Sequence, residues 1–152
     1  MNCIENILNY KKNDDKLSTS GQPREEEFKL IAQAGFEVII NIRPEFEMLY
    51  VFDERKIVSS LGLDYYQIPI TFDSLNKETL VNFFDVLELN KGKKIFVHCH
   101  RNIRVSVLVI LYRIIILGWQ REVALKEFSQ FIEVTPMWES YIDEHIRQFS
   151  VQ

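Results

Sequence analysis

Between residues 93 and 117 the sequence reads KKIFVHCHRNIRVSVLVILYRIIIL, and this stretch restricts the fold more than any other. Ile95, Phe96 and Val97 form a short β-branched and aromatic run, which suits a buried strand. Beyond Arg104 the apolar pattern is too long for one strand, so residues 105–117 are expected to form a buried helix. A strand and a helix that are both buried require layers on either side of them. The polar loop between them joins a strand's carboxyl end to a helix amino terminus. Free backbone N–H groups converge at such a junction and favour an anion. A cysteine there, Cys99, would be held as thiolate by the same field, and Arg104 closes the loop. The chemistry this suggests is a cysteine nucleophile acting on an anionic group.

The remaining segments extend the same architecture. Residues 36–42 (FEVIINI) read as the clearest buried strand, and residues 65–70 (YYQIPI) as a strand that Pro69 limits to an edge or a strand end. Leu17 leads a strand-to-loop segment ending in Ser20-Gly21-Gln22-Pro23. Helices are expected from Pro23 to Gly35, and over residues 54–61, 77–89, 121–132 and 137–149. Residues 4–10 suit a short helix, and 11–16 a charged connector. Alternating strands and helices predict one α/β domain over residues 1–152, with a mostly parallel central sheet flanked by helices. Ligands of such sheets sit beyond the carboxyl ends of the strands. The loops after Ile42, Ile70 and His98 emerge there, bringing Arg43, Asp73 and residues 99–104 towards one site.

Composition narrows the function classes. A net charge of −4 gives no global field for nucleic acid or anionic membrane, so any anion site must be local. The most apolar segment contains Tyr112 and Arg113 and is shorter than a membrane span. Two cysteines, Cys3 and Cys99, make no disulfide framework, and the start shows no secretory signal pattern. A cytoplasmic location, with Cys99 a free thiol, is the expectation. His98, Cys99 and His100 are adjacent, so their side chains alternate in direction and do not form a metal site. No metal and no cofactor are implied.

His98-Cys99, the loop to Arg104, Ser106, and then Leu111-Tyr112-Arg113 and Leu117-Gly118-Trp119 resemble a dual-specificity protein-tyrosine phosphatase. Ser20-Gly21-Gln22-Pro23, Ile40-Asn41-Ile42-Arg43 and Ile68-Pro69 resemble the bacterial domain of unknown function 442, the beta-lactamase-hydrolase-like phosphatases. The likeness covers roughly residues 15–145 in order. It implies a protein-tyrosine-phosphatase-like fold and hydrolysis of phosphomonoesters through a cysteinyl-phosphate. The substrate would be a phosphorylated protein or small molecule, phosphotyrosine among them.

Under that resemblance Cys99 is the nucleophile and Arg104 grips two phosphoryl oxygens. Ser106 assists the sulfur as it leaves, and His98 orients the loop by hydrogen bonds. Asp73, in a loop after a strand, is the candidate general acid. His100, Arg101, Asn102 and Ile103 would surround the phosphoryl group. His100 and Arg101 add positive potential at the mouth or are simply solvated, and Arg43 either lines the site or pairs with Glu45. His145 is expected on a helix surface.

The departure is in the loop. Four residues separate Cys99 from Arg104, where the phosphatase signature has five, and no glycine supplies the turn. Asn102 is the residue that tolerates the left-handed conformation. Rhodanese-type sulfurtransferases share the four-residue spacing, with a persulfide on the cysteine. They return to a further strand after the loop's helix, whereas this sequence continues with two helices. A phosphate-binding module without turnover is the third alternative.

Overall fold

The computed structural model describes residues 3–48, 52–128, 130 and 133–150. The expected strand at 95–97 is β5, Ile95–His98, and it occupies the middle of a five-stranded sheet. Its parallel neighbours are β2, Leu17–Ser20, and β3, Val38–Asn41. β4, Asp64–Gln67, pairs parallel with β3 and forms one edge, and it stops before Pro69. The other edge is β1, Lys11–Lys12, antiparallel to β2, within the stretch expected to be only a connector. The sheet order is β1-β2-β5-β3-β4.

Alternation along the strands builds a core on each face. Val38, Ile40, Ile95 and Val97 point to one side, where they meet α3, Lys77–Leu89, α4, Ile103–Ile115, α5, Arg121–Phe128, and α6, Pro136–Ser150. Ile39 and Phe96 point to the other side, against α1, Glu27–Gln33, and α2, Glu54–Ser60. With both faces covered, these strands need continuous hydrophobic runs, as the sequence has. α4 is buried along most of its length, including the guanidinium-bearing Arg113. Arg113 meets Glu127 of α5 and lies 4.2 Å from the centre of the Trp119 ring.

Some expectations shift. Residues 4–10 hold only a 3-10 turn, Ile4–Asn6, and α1 starts at Glu27, after a turn at Glu25-Glu26. α5 stops at Phe128; residues 129, 131 and 132 of the expected helix lie outside the described residues. His145, expected at the surface, is buried. Its Nε2 lies 3.2 Å from the Leu75 carbonyl oxygen and its Nδ1 2.8 Å from that of Tyr141. Among the described residues, no helix is long and apolar enough to cross a membrane.

The register places Ser20, His98, Asn41 and Gln67 in one row at the carboxyl edge of the sheet. Three of these, Ser20, His98 and Asn41, are buried polar residues, and each must find a hydrogen-bond partner there. Phe96 anchors the opposite core, fully buried, with its ring 5.3 Å from that of Phe36. Phe96→Ala is expected to cost about 3–5 kcal/mol. Leu89→Ala, at an exposed apolar position, should change stability by less than about 0.5 kcal/mol. Urea denaturation of both variants measures the contrast.

Candidate functional site

Asn102 makes the short loop possible. It is the N-cap of α4 and adopts φ 67° and ψ 17°, the left-handed conformation that a glycine would otherwise supply. That conformation turns its backbone N–H onto Cys99 Sγ at 3.1 Å. The buried sulfur therefore sits at the amino terminus of α4 with an amide aimed at it.

The side chain of Asn102 does different work from its backbone. Its Nδ2 donates to Asn9 O at 2.8 Å and to Thr19 Oγ1 at 3.0 Å. Asn9, itself at φ 51°, returns a bond from Nδ2 to Arg101 O at 2.9 Å. The two asparagines clasp the loop from residues 93 apart. Nearby, Gln22 N–H donates to His100 O at 2.9 Å. A Cβ on Gly21 would fall 2.6 Å from that same His100 oxygen, so only glycine lets the exit of β2 lie so close to the loop.

The Ser106 Oγ donates to the Asn102 carbonyl one helical turn back and so braces the left-handed residue; no hydrogen bond joins it to Cys99 Sγ among the described residues. His98 does lie behind the loop. Its Nδ1 is 3.2 Å from Cys99 O, and its Nε2 is 2.6 Å from Glu54 Oε2 in the first turn of α2. Burial alone would raise the Glu54 carboxyl. The charge and hydrogen bond of His98, with bonds from Gln22 and Tyr65, outweigh it and hold Glu54 below the ordinary range.

From Glu54 the polar contacts continue across the sheet edge. Gln22 Nε2 donates to Glu54 Oε1 at 2.8 Å, and Gln22 Oε1 accepts from Arg43 Nη1 at 2.9 Å. Arg43 Nε donates to Glu47 Oε1 at 3.2 Å, and its Nη2 to the Glu47 carbonyl at 2.9 Å. Arg43 thus pairs with Glu47, not with Glu45. Arg104 then meets both Glu47 oxygens, Nη1 to Oε2 at 3.0 Å and Nη2 to Oε1 at 2.7 Å.

The cavity over the sulfur has a volume of about 150 Å³ and is lined by Phe72, Cys99, His100, Arg101, Ile103 and Arg104. A cavity of about 440 Å³ lies around Leu17, Ile95 and Tyr112, at the amino ends of β2 and β5, with no cysteine, histidine or arginine in its wall. Size therefore does not locate the chemistry. Burial, followed by the charges of Arg43 and Arg101, pushes the His100 imidazole below its ordinary value. This favours the uncharged imidazole of His100, beside the permanent charges of Arg101 and Arg104 in the pocket wall.

Asp73 is exposed and is not among the lining residues, although its neighbour Phe72 is. The turn that carries it is held from α6, where Tyr141 OH donates to Phe72 O at 3.0 Å and His145 faces Leu75 O. Burial first, then the Asp73 charge, pushes the Tyr141 hydroxyl up to about 12. Among the described residues no three His, Cys, Asp or Glu side chains are grouped to hold a metal.

Glu47, Glu54, Gln22 and Asn9 enter the site without having been singled out as site residues in the sequence. Gln22 lay within a stretch that carried the family likeness. Glu54 reads in sequence only as a first-turn acid of a helix, and nothing marks its partner 44 residues away.

Comparison with known proteins agrees with this topology. The family model described as "DSP-PTPase phosphatase fused to NAD+ Kinase" matches residues 3–140. A beta-lactamase hydrolase-like protein of Xylella fastidiosa is 29% identical over 105 residues, which is 67% of this chain and 24% of that protein. The chain thus spans about a quarter of the length of the curated relatives it matches. A crystal structure of a protein of domain-of-unknown-function family 442 from Shewanella putrefaciens superposes with a TM-score of 0.80 and 28% identity, covering 96% of each chain. TpbA of P. aeruginosa shares the fold at a TM-score of 0.72 and 16% identity, over 92% of this chain and 84% of its own.

Two predictions follow from the geometry. Asn102→Gly keeps the backbone conformation but loses the clasp, whereas Asn102→Ala loses the clasp and must hold the left-handed conformation at a strain of about 1–2 kcal/mol. Chemical denaturation should therefore rank wild type above Asn102→Gly and Asn102→Ala lowest. The second concerns acid. A carboxyl held below its unfolded value of about 4.3 stabilises the fold above that pH, and the contribution is lost as pH falls through the depressed value. Glu54 and Glu47 are both so held. Wild type should lose stability steeply below about pH 4, and Glu54→Gln, less stable at pH 7, should show a shallower acid limb in urea midpoints.

Proposed function

The chain belongs to the DSP-PTPase family whose model matches it, and on that premise we propose that it is a cysteine-dependent phosphatase hydrolysing phosphomonoesters. The observation that carries this reading is Cys99 Sγ, under an amide of the α4 amino terminus, in one pocket with Arg104. The Cys99 thiolate attacks phosphorus, and the ester P–O bond breaks as the S–P bond forms. The departing oxygen takes a proton from Asp73. Water then attacks the cysteinyl-phosphate, giving up a proton to the Asp73 carboxylate, and inorganic phosphate and thiolate are released. Arg104 follows the charge that builds on the phosphoryl oxygens. Ile103, Arg101 and His100 form the remaining wall, with loop amides as donors.

Support for Asp73 in the acid role is its place next to Phe72, which lines the pocket. The substrate is a phosphorylated protein or small molecule, phosphotyrosine included, met in a reducing, cytoplasmic setting that keeps the thiol free. The chain acts as a single domain. The sulfurtransferase alternative draws support from the four-residue loop. Against it, β5 is the last described strand and three helices follow it.

Steady-state turnover of an aryl phosphate tests the reading. Cys99→Ser should abolish turnover, and wild type should form no thiocyanate from thiosulfate and cyanide. Thiocyanate formation lost in Cys99→Ser, without phosphate release, would reverse the assignment. Asp73→Asn should lower kcat by about 10²–10⁴ for a poor leaving group and much less for an activated aryl phosphate. An equal loss on both would remove Asp73 from the acid role.

A further inference from the structure

Arg104 reaches the pocket with three of its donors already engaged. A guanidinium carries five N–H groups in a rigid plane. Nη1 donates one to Glu47 Oε2 at 3.0 Å and the other to Ile70 O at 2.8 Å, and Nη2 donates one to Glu47 Oε1 at 2.7 Å. The two left over, Nε–H and the second Nη2–H, share one edge of the plane. They have no partner among the described residues, and Arg104 lines the cavity above Cys99. Two parallel donors on one edge match two oxygens of a tetrahedral oxyanion.

We propose that Glu47 is the positioning residue for Arg104: it binds the far edge of the guanidinium and so presents the Nε/Nη2 edge to the substrate's phosphoryl group. This rests on the phosphatase reading above. Glu47 is itself fixed from behind. Arg43 holds its side chain through Nε and its backbone carbonyl through Nη2, and Gln22 holds Arg43 in turn. All three engaged atoms of the Arg43 fork point to Glu47 or Gln22, and Arg43 is not in the pocket wall. Arg43 therefore acts through Glu47 and does not contact the substrate. An arginine side chain loses rotamer freedom when it grips an anion. Here the Glu47 contact immobilises the guanidinium before the anion arrives, which is the preorganisation that transition-state binding requires.

A carboxylate beside an anion site also repels the anion, so the opposite outcome has a clear physical basis. Glu47 could act as an internal occupant that the substrate must displace, and the two roles predict opposite signs. The test measures kcat/KM for an aryl phosphate, inhibition by tungstate, and thermal midpoint, for wild type, Glu47→Gln, Glu47→Asp and Arg43→Lys in the full chain. The glutamine cannot offer two acceptor oxygens to the parallel Nη1 and Nη2 donors, since its amide nitrogen is itself a donor. Glu47→Gln should lower kcat/KM by about 10- to 100-fold and weaken tungstate inhibition in the same direction, with the protein still folded. Glu47→Asp should recover part of the loss. Arg43→Lys should show a smaller loss that is not additive with Glu47→Gln.

Unchanged or tighter tungstate inhibition with unchanged or raised kcat/KM in Glu47→Gln overturns the proposal while leaving the phosphatase reading intact. A thermal midpoint collapse in Glu47→Gln is checked against Glu47→Asp; if the aspartate variant is stable and shows no loss of tungstate affinity, the proposal is overturned. Wild type that neither turns over phosphate ester nor is bound by tungstate overturns both readings together.

Discussion

The 2.6 Å contact between His98 Nε2 and Glu54 Oε2 is the interaction on which the site depends. Both side chains are buried, and a carboxylate so placed costs several kcal/mol unless its oxygens are bonded. Glu54 meets that requirement with His98 on one oxygen and Gln22 on the other. His98 in turn is fixed by the end of β5, with its second nitrogen against Cys99 O. Removing either partner would leave a buried polar group unpaired directly behind Cys99. The loop would then lose the element that sets where Cys99 begins.

From that anchor a chain of contacts passes from Glu54 through Gln22, Arg43 and Glu47 to Arg104. It starts behind the cysteine and ends at the arginine facing it. Each member satisfies donors or acceptors of the next as far as Arg104, whose Nε–H and second Nη2–H are left for the pocket. A second, independent brace works from the other side, where Asn9 and Asn102 bond each other's loops. Cys99 and Arg104 are thus held by groups between residues 9 and 54, not by the strand-loop-helix unit alone. The turn carrying Asp73 has a third support, from Tyr141 and His145 of α6.

The shortened loop has a physical account in these contacts. A loop one residue shorter and without glycine needs a left-handed residue stabilised by something other than lack of a Cβ. Asn102 adopts that conformation, and its side chain finds two acceptors while Ser106 binds its carbonyl. The residue that resembled an assistant to the leaving sulfur is thereby taken up in holding the turn. Sequence reasoning did not foresee that the Ser106 hydroxyl bonds Asn102 one helical turn back. It went wrong at His145 because a helix of mixed polarity does not announce which polar residue faces inward.

Hydrophobic patterning alone determined that a buried strand, a polar loop and a buried helix follow one another from Ile95 to Ile115, and that a mostly parallel sheet lies between helices. Those features depend on local periodicity, which any short window of the chain displays. Asn102 as the left-handed residue was equally legible, since backbone preference is a property of the residue itself. Tertiary structure alone decided that Glu54 backs His98, that Glu47 faces Arg104, and that Asn9 clasps Asn102. Those pairs are 44, 57 and 93 residues apart. They are made by loops and helix ends whose paths have no period to read, and only the closing of the sheet brings their polar groups within hydrogen-bonding distance.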